Sequence, residues 1–343
     1  MRVVVYGAGG IGGTIGARLY QQGVEVVLIA RGEHLSALQT QGLRFVAPDG
    51  DFRLAIATVA NPAEINWRAG DVVILTMKSQ HTTAALETLA LSAPQNLPVV
   101  CGQNGVANEA MALRRFPNVY AMLINLPASH LEPGEVVSFA QGIGGILDTG
   151  RFPTGVDGVV EELTGLLEQA GFSARPDPLV MRKKYAKLLA NLGNSLQAAV
   201  TPADAREATG QDAENNRTIA RMLRQEALAC YAAAGIDCAS RDEVRARHDH
   251  RYSMVEVPGF PRLGGSSWQS IFRGTGDIET DYLNGEIVWL GRCHGVATPA
   301  NEVCQGVALR LLRDGLATGA ITSQEILELI EVSRTGSDGA DDQ

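Results

Sequence analysis

No stretch of the chain approaches the roughly 18 consecutive apolar residues of a membrane span. The short apolar run at 3–6 passes straight into glycines, without the longer hydrophobic region or cleavage site of a secretory leader. A cytoplasmic protein with no membrane partner is expected. Positive charge is also scarce: 29 Lys and Arg stand against 38 Asp and Glu, for a net charge of -9. That balance argues against a chain whose main task is to neutralise nucleic-acid phosphate. Cys-x-x-Cys is missing too. The five cysteines, Cys101, Cys230, Cys238, Cys293 and Cys304, are odd in number and widely spaced. Four lie in strand-like or helical apolar context, so buried free thiols are expected rather than a disulfide framework or a structural metal. His248 and His250 stand two apart, which sends them to different sides of a helix, and no acid-rich shell surrounds them, so no metal site is assigned. G-x-S-x-G, H-E-x-x-H and the Walker lysine motif do not occur, which leaves hydrolase and nucleoside-triphosphatase readings without support.

What is present begins with MRVVVYGAGGIGGTIGARLYQQG, which reads as a short apolar strand, a glycine-rich turn and an amphipathic helix with Ile11, Ile15 and Leu19 on one face. Gly7, Gly9 and Gly12 fit G-x-G-x-x-G. Gly7 permits the tight turn, Gly9 the close approach of a pyrophosphate, and Gly12 the close packing of helix on strand, with Gly10 and Ile11 at the helix N-terminus beside the same phosphates. The motif alone is weak. Here it follows a strand, opens a helix and precedes a second strand, VEVVLIAR, which is the context a dinucleotide site requires. An NAD site usually carries an acid at the end of that second strand for the ribose 2′-hydroxyl. This chain has Arg31 there, with Glu25 at the wrong end of the strand and Glu33 beyond the arginine, so a 2′-phosphate and hence NADPH/NADP+ are expected.

Apolar runs followed by polar loops continue through DVVILTMKSQHTTAALETLA, LPVVCGQNGVANEAMALRRF and NVYAMLI, the pattern of a doubly wound parallel sheet. Ligands of such sheets bind beyond the carboxyl ends of the strands, where Lys78 and Asn104 fall. GEVVSFAQGIGGILDTG reads as short antiparallel strands closing the sheet edge, followed by a surface helix over 159–171. At 343 residues two domains are expected: a nucleotide-binding domain over 1–176 and an all-helical one over 177–332, with a small, acidic, disordered tail at 333–343. The fold class is thus α/β, a Rossmann-type doubly wound sheet followed by a helical domain.

Helices are expected at 178–200, 213–234, 241–251, 277–294 and 301–316, with Gly235 and Gly295 ending two of them. The first carries a polar line on an otherwise Leu- and Ala-rich helix. Lys187, Asn191 and either Asn194 or Ser195 fall at i, i+4 and i+7 or i+8. In the fourth, Glu279 and Asp281 occupy the first turns, where acids suit the helix dipole, yet Glu279 also flanks the apolar face begun by Ile278. Upstream, Ser266 and Ser267 before Trp268 read either as an N-cap or as ligand contacts. The apolar stripe Val303, Val307, Leu311 and Leu312 would permit a homodimer or serve an intramolecular core equally well.

From Gly7 to about Glu302 the chain resembles the ketopantoate reductase family, the NADPH-dependent 2-dehydropantoate 2-reductases. The resemblance is carried by the glycine turn, by Lys-x-x-x-Asn at Lys187 and Asn191, by QNG at Asn104 and by ETDYLNGEI from Glu279. It implies reduction of a 2-keto acid, with Lys187 protonating the carbonyl oxygen, Glu279 as the site carboxylate, Asn191 and Ser267 as substrate ligands, and Asn104 serving substrate and cofactor. It implies cofactor contacts for Lys78 and Arg31 as well. The substrate it implies is 2-dehydropantoate, reduced to pantoate in pantothenate and coenzyme A biosynthesis. Ser195 is expected to bind substrate as well, and it is one departure, at a position where relatives place a second substrate-binding asparagine. A second is the longer loop at 257–267. Both bear on which 2-keto acid is used, because a buried hydrogen-bonding group discriminates substrates by orders of magnitude. A reductase of another 2-keto acid, an opine-type reductive condensation and a non-catalytic NADP(H) sensor are the alternatives. The retained Lys187 and Glu279 speak against the last, since a sensor needs no proton donor.

Overall fold

The computed structural model describes residues 1–201, 210–248, 252–260, 264–272, 274 and 278–338. The chain forms two compact units, Met1–Lys184 with Ala239–Arg262, and Tyr185–Cys238 with Leu263–Gln343.

Valine-rich runs dominate the first unit because a parallel sheet covered on both faces buries every strand residue. Seven strands lie in the order Thr149–Arg151, Val119–Met122, Val99–Cys101, Asp71–Leu75, Arg2–Tyr6, Val26–Ile29 and Ala57–Val59. All pairings in it are parallel except that of Thr149–Arg151 with Val119–Met122. Alternation sends Val3 and Val5 to one face, where they meet Ile15 and Leu19 of the helix Gly10–Gln21. Val4, Val73 and Leu75 face the other way, onto Leu86 and Leu89 of the helix Thr82–Ala90.

Two features of this unit differ from expectation. Glu135–Ser138 does not close the main sheet; it joins a four-stranded sheet with Ala128–Ser129 and the hairpin of Leu43–Ala47 and Gly50–Leu54. Only Thr149–Arg151 forms the expected antiparallel edge. In addition, the cut expected after residue 176 does not coincide with the compact units, since 177–184 and Ala239–Arg262 pack with the sheet.

The reason is a buried charge. Asp148 accepts from Arg247 Nε at 2.7 Å and from Lys183 Nζ at 2.9 Å, while Arg247 Nη1 donates to Ser173 Oγ at 2.9 Å. The strand Tyr252–Met254 also pairs with Ala140–Gly142. Burial pushes the Asp148 carboxyl up, but its bonds to Arg247 and Lys183 outweigh that and hold it below its ordinary range. Arg247→Met leaves part of that carboxylate uncompensated and is expected to cost about 3 kcal/mol in chemical unfolding at neutral pH. Because the folded-state pKa is depressed, the stabilisation is present above about pH 4 and is lost as pH falls through the folded value. The gap between native and variant should therefore narrow in acid.

The second unit is helical. The expected helix at 178–200 divides at Gly193 into Val180–Asn191 and Asn194–Val200. The expected helix at 277–294 starts only at Asn284; before it Thr280–Tyr282 forms a single tight turn, with Glu279 at its head. Gly210–Ala233, Arg241–His248 and Pro299–Arg313 match the other expected helices within a few residues, Arg241–His248 belonging to the first unit. Gly295 caps its helix in the left-handed region at φ 68°, as a C-terminal glycine does. The helix Ser323–Asp338 corrects the expectation of disorder from Ser333 as far as Asp338, and 339–343 lie outside the described residues. Val307 and Leu311 are buried in the unit's own core. Cys101, Cys230 and Cys304 are buried free thiols, whereas Cys238 is half-buried and Cys293 exposed, three buried rather than four.

Candidate active site

The glycine turn has the geometry its spacing requires. Gly7 adopts φ 111°, and a Cβ there would meet Met77 N at 2.7 Å. Its carbonyl accepts from Thr76 Oγ1 at 2.7 Å and lies only 2.2 Å from where a Cβ on Gly12 would sit. Gly9 precedes the helix Gly10–Gln21, and a Cβ on it would find nothing nearer than His130 Cδ2 at 4.0 Å. Gly10 and Ile11 form the first turn, Ile11 packing its side chain toward the core. This cradle, with space at Gly9 and none at Gly7 or Gly12, fits a pyrophosphate.

Two histidines that the sequence reading did not single out brace the turn. His34 Nε2 donates to Ala8 O at 2.8 Å, and Nδ1 accepts from Gly134 N at 2.8 Å. An amide N–H can only donate, so Nδ1 carries no proton and the ring is neutral. Burial lowers the His34 pKa, opposed by the bond to Ala8. His130 packs against it at 4.2 Å between ring centres.

Arg31 begins the helix Gly32–Gln41 at the end of the second strand, exposed, with Nη2 3.3 Å from His81 Nε2. Lys78 heads the tight turn Ser79–His81 beyond the strand Asp71–Leu75. Asn104 follows the strand Val99–Cys101, and its Oδ1 is buried without a hydrogen-bond partner. A buried polar network joins these two loops. Ser79 Oγ and Asn108 Nδ2 donate to Asn104 O at 3.4 and 3.3 Å, Asn108 Nδ2 to Ser79 Oγ at 3.0 Å, Thr82 Oγ1 to Asn108 Oδ1 at 2.7 Å, and Gln103 Nε2 to Thr82 Oγ1 at 3.0 Å. Beneath it Lys184 Nζ donates to Gln103 O at 3.1 Å and pairs with Glu109, both side chains being buried. Neither was found in the sequence. The available signals were an acid in the first turn of the helix after QNG and a run of three cations at Arg182, Lys183 and Lys184.

In the second unit Lys187 and Asn191 lie on the helix Val180–Asn191, both half-buried, one turn apart. Asn191 Nδ2 is buried without a hydrogen-bond partner. Ser267 and Glu279 are buried. Ser195 is placed differently from expectation: it is fully buried, donates to Asn284 Oδ1 at 2.9 Å and lies 3.1 Å from Thr280 Oγ1. Its hydroxyl is committed to the core. Asn284 continues the chain of bonds to Asn301 Oδ1 at 3.1 Å, and Asn301 Nδ2 to Glu226 at 2.8 Å. Burial raises the Glu226 pKa against those bonds. The network ties Thr280, next to Glu279, to the turn after Asn191, and so anchors two of the expected site segments to one another. His248 Nε2 accepts from Asn125 Nδ2 at 2.8 Å, His250 lies outside the described residues, and among the described residues no three His, Cys, Asp or Glu gather as metal ligands. No described helix is long and apolar enough to cross a membrane.

Comparison with known proteins gives one family over both units. The model described as ketopantoate reductase PanE/ApbA matches residues 3–151, and its C-terminal counterpart matches 179–309. A 2-dehydropantoate 2-reductase of Halobacterium salinarum is 27% identical over 92% of this chain and 100% of its own length. That of Pyrococcus horikoshii is 26% identical over 88% of this chain and 94% of its own. The crystal structure of a PanE/ApbA family ketopantoate reductase from Ralstonia eutropha JMP134 superposes with a TM-score of 0.76 at 26% identity, covering 92% of this chain and 99% of that one. D-mandelate dehydrogenase, solved with NADH and anilino(oxo)acetate, shares the fold with a TM-score of 0.76 at 21% identity over 92% of this chain and 99% of that one.

Proposed function

As a member of the ketopantoate reductase family, the chain is an oxidoreductase acting on a CH-OH group, and we propose that it reduces 2-dehydropantoate to pantoate with NADPH. The observation that carries the reading is Asn191 Nδ2, a buried donor without a partner one turn beyond an ammonium. A 2-keto acid offers the acceptor that Asn191 Nδ2 lacks, in its carbonyl and carboxylate oxygens.

When bound, a nicotinamide cofactor would supply the hydride that the carbonyl carbon takes up. This chain's residues do the rest. The backbone from Gly7 to Gly12 holds the pyrophosphate, and Arg31 takes the 2′-phosphate. Lys78 adds positive charge at the end of the next strand, and Asn104 Oδ1 accepts from a hydroxyl or amide of the bound molecules. Lys187 delivers a proton to the oxygen as charge builds on it, a transfer for which a positioned ammonium is suited. Asn191 and Ser267 hold the substrate's oxygens in a reactive pose. Glu279 supplies the carboxylate of the site as a counter-charge to the ammonium. Ser195 takes no part in this scheme, because its hydroxyl is used inside the core.

The test is nicotinamide absorbance with NADPH and with NADH, using ketopantoate and a panel of other 2-keto acids. Turnover of ketopantoate is expected, with NADPH preferred. Arg31→Ala should weaken NADPH at least about tenfold while changing NADH little, since it removes a phosphate contact worth about 1.4 kcal/mol or more. Turnover of another acid alone would reassign the substrate, and tight NADPH binding without turnover on any acid would leave a sensor.

A further inference from the structure

Lys184 is an unusual lysine. Its side chain is almost entirely buried, and its ammonium donates to Gln103 O at 3.1 Å and to Cys101 O at 3.5 Å while pairing with Glu109, which is wholly buried. Burying two charges costs several kcal/mol per ion before their attraction returns it, so hydrophobic residues of similar shape would serve a purely structural purpose as well or better. The pair sits under one short segment. Cys101 ends a strand, Gln103 and Asn104 form the turn beyond it, and Glu109 lies in the first turn of the helix Asn108–Leu113. Three buried acceptors of this segment, Gln103 Oε1, Asn104 Oδ1 and Glu109 Oε2, have no hydrogen-bond partner. Beside the bonds with Ser79, Asn108 and Thr82, the Lys184 ammonium brings this turn a charged donor from another element.

We infer that Glu109 and Lys184 are positioning residues for the reaction: the ammonium clamps the carbonyls of Cys101 and Gln103, Glu109 fixes the ammonium, and the clamp keeps Asn104 presented to the bound cofactor and substrate. The inference rests on the reading of Asn104 given under Proposed function. Hydrogen bonds to a charged donor are about twice as strong as neutral ones, so the ammonium holds the carbonyls of Cys101 and Gln103 firmly. Lys184 lies about one turn before Lys187 on the same helix.

The experiment compares the native protein with Lys184→Met, Glu109→Gln and the double variant. Single substitutions strand a buried charge and are expected to lower the melting temperature. The double variant, neutral on both sides, should restore most of that loss. In it kcat/KM for the 2-keto acid should still fall at least about tenfold, carried by kcat and by KM for the acid, while NADPH affinity stays within about threefold because the glycine turn and Arg31 are untouched. Hydrogen exchange of the peptide spanning 101–109 should accelerate at least about tenfold. A folded double variant with native kcat/KM overturns the inference, as does unchanged exchange at 101–109. If the native protein turns over no 2-keto acid, the functional reading falls, and the exchange measurement alone still decides whether the pair clamps the turn.

Discussion

Lys187→Ala is expected to lower kcat about a thousandfold with the preferred 2-keto acid, while the dissociation constant for NADPH changes by less than about threefold. The size follows from the role. General acid catalysis by a placed side chain contributes about 10²- to 10⁴-fold, and a thousandfold corresponds to about 4 kcal/mol of transition-state stabilisation. Nothing in the glycine turn or at Arg31 depends on Lys187, so cofactor binding is the internal control. Lys187 is half-buried, and melting of the variant shows whether packing has been lost along with the charge. Asn191→Ala should behave differently. Its Nδ2 is a buried donor waiting for an acceptor, so its removal is expected to raise KM for the acid about tenfold and to lower kcat less than Lys187→Ala does. A Lys187→Ala variant that retains native kcat would assign the proton to another group, and equal losses of kcat and of NADPH affinity would point to a collapsed site.

Gly12→Ala is expected to lower the melting temperature by about 6 to 12 °C and to weaken NADPH binding at least about a hundredfold. An added Cβ would stand 2.2 Å from Gly7 O, 2.4 Å from Thr76 Oγ1 and 2.7 Å from Val5 Cγ1, and none of the three is the free end of a flexible chain. Thr76 Oγ1 is itself bonded to Gly7 O at 2.7 Å. Relieving the clash moves the helix Gly10–Gln21 off the strand, an overpacking cost of about 3 kcal/mol, and each kcal/mol is worth about 2 to 4 °C in a domain of this size. Gly9→Ala separates packing from binding. Its Cβ has open space up to His130 Cδ2 at 4.0 Å, and its φ of -73° suits any residue. The melting temperature should stay within about 2 °C of native, while NADPH weakens at least about tenfold because the methyl stands where the pyrophosphate approaches. Native affinity in Gly9→Ala would place the cofactor elsewhere.

The glycine turn, the alternation of apolar runs and helices, and the line of Lys187 and Asn191 were legible because each is a local pattern with a fixed period or spacing. The hairpin of Leu43–Ala47 and Gly50–Leu54 carries a local signal as well, Pro48 and Asp49 turning the chain just before Gly50. The place of Glu135–Ser138 carried no such mark, since alternation says that a strand has two faces and not which neighbour it pairs with.

The chain's own order of residues thus determined a nucleotide-binding sheet, its cofactor turn and Arg31, and a helical partner bearing an ammonium and an amide. Tertiary structure alone decided the fate of the buried polar groups. Ser195 reads like a ligand until Asn284, 89 residues away, accepts its hydrogen bond. Glu109 and Lys184, 75 apart, carry no mark in the sequence of the pair that the fold buries together. Arg247 is held in the first unit by Asp148, buried 99 residues upstream. The physical reason is common to all three. Burying a charge or hydroxyl is tolerable only with a partner, and a partner found across such distances leaves no period in the sequence to betray it.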